Sequence, residues 1–171
     1  MLGAQAVGED GVERRIDVIA TAMRLGATVE DLADLELCYA PQYGAAKDPV
    51  NLAGMVAANE RDGDAPVLPW SAADDTGFTV LDVREPGEWA AGHHERAIHI
   101  PLHVVRDRLS EIPRDQPLAV YCTGGQRSYY AVRLLRQNGF DARNLPGGWQ
   151  SARHRAGAIA SGKQARAEAA G

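Results

Sequence analysis

The chain has 171 residues and a formal net charge of −5, with 45% apolar and 24% charged residues. That is ordinary globular composition, so wholesale disorder is excluded, and the acidic balance argues against a general nucleic-acid or anionic-membrane binder. Two cysteines, Cys38 and Cys122, make no disulfide framework and point to a reducing compartment.

The first fifteen residues lack a basic start followed by an apolar run, and no stretch approaches a membrane helix in length. A cytoplasmic protein is expected. Charge divides the chain in three: residues 1–60 carry net −6, 61–150 net −2, and 151–171 net +3.

Residues 1–60 read as helical. Ile16, Ile19, Ala20, Met23 and Ala27 recur at spacings of three and four, one face of a helix over 12–25, with Gly26 as its stop. Thr28 ahead of Val29-Glu30-Asp31 is an N-cap followed by acids, starting a helix over 29–35. Asp48-Pro49 repeats the start signal for a helix over 49–60, which carries Val50, Leu52, Ala53, Val56 and Ala57. Residues 61–66 have linker chemistry.

From 67 to 150, strands and helices alternate. Strands are expected at 78–82, 97–100, 118–121 and 142–145, with Val67-Leu68 as a further edge strand. Helices are expected at 85–91, 104–112 and 128–137. Alternation of this kind predicts a parallel sheet covered on both faces, an α/β fold. The tail over 151–171 is basic and rich in Ala and Gly, and its end reads as frayed or disordered.

One stretch carries the chemistry. An apolar strand ends at Cys122, then Thr123-Gly124-Gly125-Gln126-Arg127 leads to a helix start at Ser128. A helix N-terminus presents unpaired N–H groups, glycines let amides turn inward as an anion cup, and Arg127 adds a forked cation. Together these favour thiolate over thiol at Cys122. The plainer alternative is a buried cysteine beside an ordinary glycine turn. Cys38 lies in a segment with no activating features. Four of the five histidines fall between His93 and His103, but His93, His94, His99 and His103 spread over a loop, a strand and a turn, so no metal site is expected.

With these residues in view, positions about 65 to 150 resemble a rhodanese-type sulfurtransferase domain. The matching pieces are Leu81-Asp82-Val83-Arg84-Glu85, Glu88-Trp89, Gly92-His93, Ile98-His99-Ile100-Pro101-Leu102, the Cys122–Arg127 loop and Leu145-Pro146-Gly147-Gly148-Trp149. The resemblance implies a rhodanese-like parallel sheet with helices on both faces. It also implies chemistry through a persulfide on Cys122, formed from a small anionic sulfur donor such as thiosulfate and passed to a thiol or cyanide acceptor. The backbone of Thr123, Gly124, Gly125, Gln126 and Arg127 would be the cradle, and Asp82 and Arg84 would brace the loop and the incoming anion. The sequence departs from the family at Thr123, where Arg is common, and at His94. Phosphatases of the same fold use a loop one residue longer, so the four residues between Cys122 and Arg127 favour sulfur.

Residues 10–60 resemble the end of the dimerisation domain of flavin-dependent pyridine-nucleotide disulfide reductases, in the coenzyme A-disulfide reductase branch. Gly11–Met23, Tyr39-Ala40-Pro41 and Ala46–Gly54 carry that likeness. By position, Tyr39 would be the tyrosine that faces a partner subunit's active site; the plainer reading is a loop aromatic covering helix ends. No G-x-G-x-x-G follows a strand, so no flavin, nicotinamide or other cofactor is expected. The chain reads as the C-terminal portion of a reductase–rhodanese fusion, either naturally separate or truncated. Residues 10–60 would serve as a homodimer or reductase-docking surface, and a non-catalytic docking module is the alternative function.

Overall fold

The computed structural model describes residues 1–154, in two compact units: Met1–Gly63 and a second starting at Asp64. Residues 155–171, which hold most of the expected frayed tail, lie outside the described residues.

The first unit contains α1 (Val12–Arg24), α2 (Val29–Asp34) and α3 (Pro49–Arg61). The starts of α2 and α3 have a local cause. Thr28 and Asp31 cap each other: the Asp31 amide donates to the Thr28 hydroxyl, and the Asp31 carboxylate accepts from the Thr28 amide at 2.6 Å. Asp48 accepts from the Val50 amide at 3.0 Å ahead of Pro49, and pairs with Arg15 at 3.1 Å. The contact of α2 with α3 depends on Gly54, because a Cβ there would stand 2.5 Å from the Ala33 amide nitrogen and 2.7 Å from the Val29 carbonyl oxygen. Beside it, buried Asn51 donates to the carbonyls of Leu32 and Leu35 and so closes the end of α2.

The small core here is Ala22, Leu32 and Val50, flanked by Val18, Ile19, Ala27, Leu35 and Leu37. Of the expected face of α1, Ile16, Ile19, Met23 and Ala27 are half-buried, while Ala20 is exposed and Ala22 is the buried residue of the helix. Leu52 and Val56 of α3 stay 48% and 54% exposed.

The second unit is a four-stranded, all-parallel sheet in the order β2-β1-β3-β4, with β1 Thr79–Asp82, β2 Ala97–His99, β3 Leu118–Tyr121 and β4 Ala142–Asn144. Alternating side chains feed two cores. Leu81, Leu118 and Val120 meet Ala131, Val132 and Leu135 of α5 (Gln126–Gln137) on one side. Val80, Ala119 and Tyr121 meet Ala73, Leu145 and the rings of Trp70 and Trp149 on the other. Both faces are therefore covered, as a parallel sheet requires.

Three expectations shift. The helix over 104–112 folds instead as two 3-10 turns, Leu102–Val104 and Leu109–Glu111. Adjacent β-branched Val104 and Val105 disfavour a continuous helix, and the turns still bury Val105 and Ile112. The edge strand at Val67-Leu68 is reduced to one parallel bridge, Val67 to Asn144, between Pro66 and Pro69. Residues 148–154 form a further helix, α6, where the tail was expected to begin; α4 (Pro86–Ala90) completes the unit. Among the described residues, no helix is long and apolar enough to cross a membrane.

Candidate active site

Strand β3 is buried along its whole length and is interior to the sheet, so its C-terminal end opens among loops rather than at an edge. Cys122 follows directly and is 2% exposed. Gly125 then adopts φ 110° and caps α5, whose first residue is Gln126, two positions earlier than the sequence suggested. That offset matters for Ser128. It lies inside the first turn of the helix, fully buried, with its hydroxyl 3.5 Å from Cys122 Sγ.

The sulfur also accepts from the Gly125 amide at 3.1 Å. Burial pushes the Cys122 thiol up, but hydrogen bonds from the Ser128 hydroxyl and from the Ser128, Gly125 and Gly124 amides outweigh it, so the thiol lies below its ordinary value. The Gly124 side is open: a Cβ there would meet nothing within 4 Å.

The amides point inward because the loop's carbonyls are held elsewhere. Trp149 and Gln150 at the start of α6 donate to the carbonyls of Cys122 and Thr123 at 2.7 and 3.1 Å. The Gly125 carbonyl accepts from the Tyr129 amide at 3.1 Å, from Ser128 Oγ at 3.0 Å and from Asn144 Nδ2 at 3.5 Å. Gly148, at φ 57°, lets α6 come this close, since a Cβ there would overlap both the Cys122 and Thr123 carbonyl oxygens.

Arg127 is placed differently from expectation. Its fork grips Glu88 of α4 at 2.6 and 2.7 Å and also donates to Thr123 Oγ1 at 2.9 Å. The Thr123 hydroxyl in turn donates to Glu88. The Arg127 hydrogen bonds hold the Glu88 carboxyl down at about 2, and Glu88 holds the Arg127 guanidinium above its ordinary value. Arg127 still interacts with Cys122 through charge, but the hydrogen bonds reaching the sulfur come from amides and Ser128.

Asp82 and Arg84 lie together at the end of β1. They form a buried ion pair at 2.6 Å, and Arg84 spends its remaining donors on the carbonyls of Glu88 and Gly92. Burial alone would lower the Arg84 guanidinium, and Asp82 more than offsets it. The guanidinium lies over the rings of Tyr121 and Trp149 at 5.4 and 5.2 Å. Its donors are thus engaged with Asp82 and with the backbone carbonyls around α4. Gln126 turns its side chain outward to the Tyr130 hydroxyl, so only its backbone belongs to the loop.

Outside the cup, Cys38 is exposed in the first unit, and Tyr39 is 56% exposed. Of the four clustered histidines, His93 and His99 both stack on Trp89, and His99 also bonds the Arg84 carbonyl. His94 lies 3.6 Å from Asp74, and His103 lies 3.4 Å from Glu85. Among the described residues, no three metal-ligating side chains converge.

Four residues that sequence reasoning left without a role serve the loop: Glu88, Ser128, Asn144 and Gly148. Glu88 and Gly148 stand in recognisable motifs, but nothing local tells which distant group each will meet. The local sequence starts the helix at Ser128; its inward placement follows only from the true start at Gln126.

Comparison with known proteins agrees with this geometry. A family model described as a rhodanese-like domain matches residues 70–154. A sulfurtransferase of Allochromatium vinosum is 38% identical over 91 residues, covering 53% of this chain and 83% of that protein. Coenzyme A disulfide reductase of Staphylococcus epidermidis is 47% identical over 57 residues, a third of this chain but 13% of the reductase. Among solved structures, reduced CoADR-RHD of Bacillus anthracis aligns with TM-score 0.77 and 45% identity, and an NAD-dependent persulfide reductase from A. fulgidus with 0.72 and 42%. Each alignment covers 82% of this chain, more than either unit alone, and 26% of the other protein. The chain thus spans about a quarter of those two enzymes.

Proposed function

Because the chain belongs to the rhodanese-like family, we propose that it is a sulfurtransferase working through a persulfide on Cys122. The observation that supports this most is the sulfur itself, sunk in a cup of amides with its thiol lowered despite burial.

The Cys122 thiolate attacks the outer sulfur of a sulfane donor such as thiosulfate. The Sγ–S bond forms, the donor's S–S bond breaks, and its electron pair leaves on sulfite. The negative outer sulfur of the persulfide then rests against the loop amides, an electrostatic stabilisation prepared before reaction. An acceptor, cyanide or a thiolate, attacks that outer sulfur, and the electron pair returns to Cys122 Sγ. No cofactor is needed for either displacement. A reducing, cytoplasmic setting suits two free thiols.

Intact-mass analysis after thiosulfate treatment tests this reading and should show one added sulfur, removed by cyanide. The reaction should also carry the pH signature of a depressed thiol. Thiolate is the reactive form, so the alkylation rate should rise with pH and level off below the range of a free cysteine, where it would normally still be climbing. A midpoint at or above that of free cysteine would contradict the reading.

A second reading concerns residues 10–60, favoured by the exposed apolar pair Leu52 and Val56 and by the likeness to reductases. This segment would bind a second copy of the chain or a reductase subunit. Sedimentation of the full chain should show self-association that a Leu52→Glu, Val56→Glu double variant weakens. A chain that is monomeric at all concentrations and ignores the substitutions would remove the homodimer.

A further inference from the structure

Glu88 reaches three ways from the first turn of α4. It accepts from the Glu85 amide at 3.0 Å, takes both arms of Arg127 and accepts the Thr123 hydroxyl. The position after the nucleophile is neutral Thr123, and its hydroxyl is spent on the same carboxylate. The other nearby guanidinium, Arg84, is buried against Asp82. Glu85 acts on Arg127 through charge as well, and its own carboxylate is exposed. The cations that sequence placed at the cup are therefore each answered by a carboxylate. What remains attractive to an anion is short-ranged: the loop amides and the Ser128 hydroxyl around Sγ.

The geometry points to Glu88 as a specificity-determining residue that, by cancelling Arg127, turns the cup away from compact dianionic sulfane donors and toward donors with one charge or none beside the transferred sulfur, such as alkyl persulfides. This rests on the sulfurtransferase reading above. With thiosulfate, a thiolate must meet a donor of charge −2 and release sulfite of the same charge, while Glu88 masks the Arg127 cation at the mouth. With an alkyl persulfide, R–S–SH, the thiolate attacks the outer sulfur. The Sγ–S bond forms, R–S breaks from that sulfur, and the electron pair leaves on a singly charged R–S⁻. Little charge is crowded, and the amides are enough.

The test compares thiosulfate with 2-hydroxyethyl persulfide on the full chain. The unaltered protein should use the persulfide more efficiently. Glu88→Gln keeps the shape and the acceptor for Thr123 but frees Arg127. It should raise kcat/KM for thiosulfate about tenfold, mainly through KM, as expected for unmasking one charge a few ångströms from a dianion in a wet cleft. The gain should shrink as salt screens the mouth, which a merely structural effect would not do. The persulfide reaction should show neither this gain nor its salt dependence, since its charge near the sulfur is small. Thr123→Lys, which adds a cation with Glu88 intact, should move the ratio the same way and stands if Glu88→Gln folds poorly. Equal changes for both donors, or an unchanged thiosulfate KM in both variants, would overturn the proposal. A native protein that takes up sulfur from neither donor, read by intact mass, would instead overturn the sulfurtransferase reading beneath it.

Discussion

Cys122→Ser is expected to abolish sulfur transfer from thiosulfate to cyanide, and Cys38→Ser to leave it nearly unchanged. Serine is close to cysteine in size, so the cup should survive: the Gly125 amide and the Ser128 hydroxyl would meet an oxygen where they now meet Sγ. What is lost is the anion. A serine hydroxyl stays protonated where the lowered Cys122 thiol ionises, and it cannot carry the sulfur–sulfur bond of the intermediate. Loss of a nucleophile falls on the scale of roughly 10⁴-fold or more. Cys38 is exposed in the other unit and has none of these contacts. Thermal melting of both variants should stay close to that of the native chain, which separates chemistry from folding. Persulfide formation in the Cys122 variant, or loss of turnover in the Cys38 variant alone, would sink the assignment.

How much of this was readable beforehand depends on how far each cause lies along the chain. Helix starts at Thr28 and Asp48 are set by atoms two or three residues away, so they could be read directly. Strand β3 and the glycine loop after it are equally local. The segment 104–112 has helical spacing, yet its shape is decided by the turn between β2 and β3 and by two adjacent β-branched residues. Asp82 and Arg84 stand two apart on extended backbone and so share a side. Their pairing was open to inference, but a strand-end arginine beside a nucleophile looks like an anion clamp until its donors are counted. Arg127 is the opposite case. Its partner Glu88 comes from a different element, and nothing in the local sequence of either residue reveals the other. The charge at the cup is therefore a tertiary property. Charges counted along the chain suggest a cationic mouth, whereas the folded site has a compensated one.

Gly148→Ala is expected to cost about a hundredfold in turnover while leaving most of the fold in place. Two effects coincide at this residue. Its φ of 57° lies in the left-handed region, where a side chain costs on the order of 1–2 kcal/mol. The added methyl would also overlap the carbonyl oxygens of both Cys122 and Thr123, which are backbone atoms and cannot swing aside. Either α6 retreats or the loop rotates. In both cases the bonds from the Trp149 and Gln150 amides weaken, and those bonds keep the loop carbonyls outward and its amides on the sulfur. A displacement near 1 Å in a preorganised site is enough for a loss of this size. The core under α5 does not touch Gly148, so stability should fall by no more than the strain and overpacking together, roughly 2–5 kcal/mol. The Cys122 alkylation midpoint should rise toward that of a free thiol as the amides leave it. Gly147→Ala is the control. Gly147 also has positive φ, at 70°, but its methyl would press on the Ser151 side chain, which can rotate. That variant should share the stability loss and keep most of the activity and the low midpoint. If both variants lose turnover equally, left-handed strain alone explains the effect, and the close seat of α6 on the loop carbonyls is not what organises the cup.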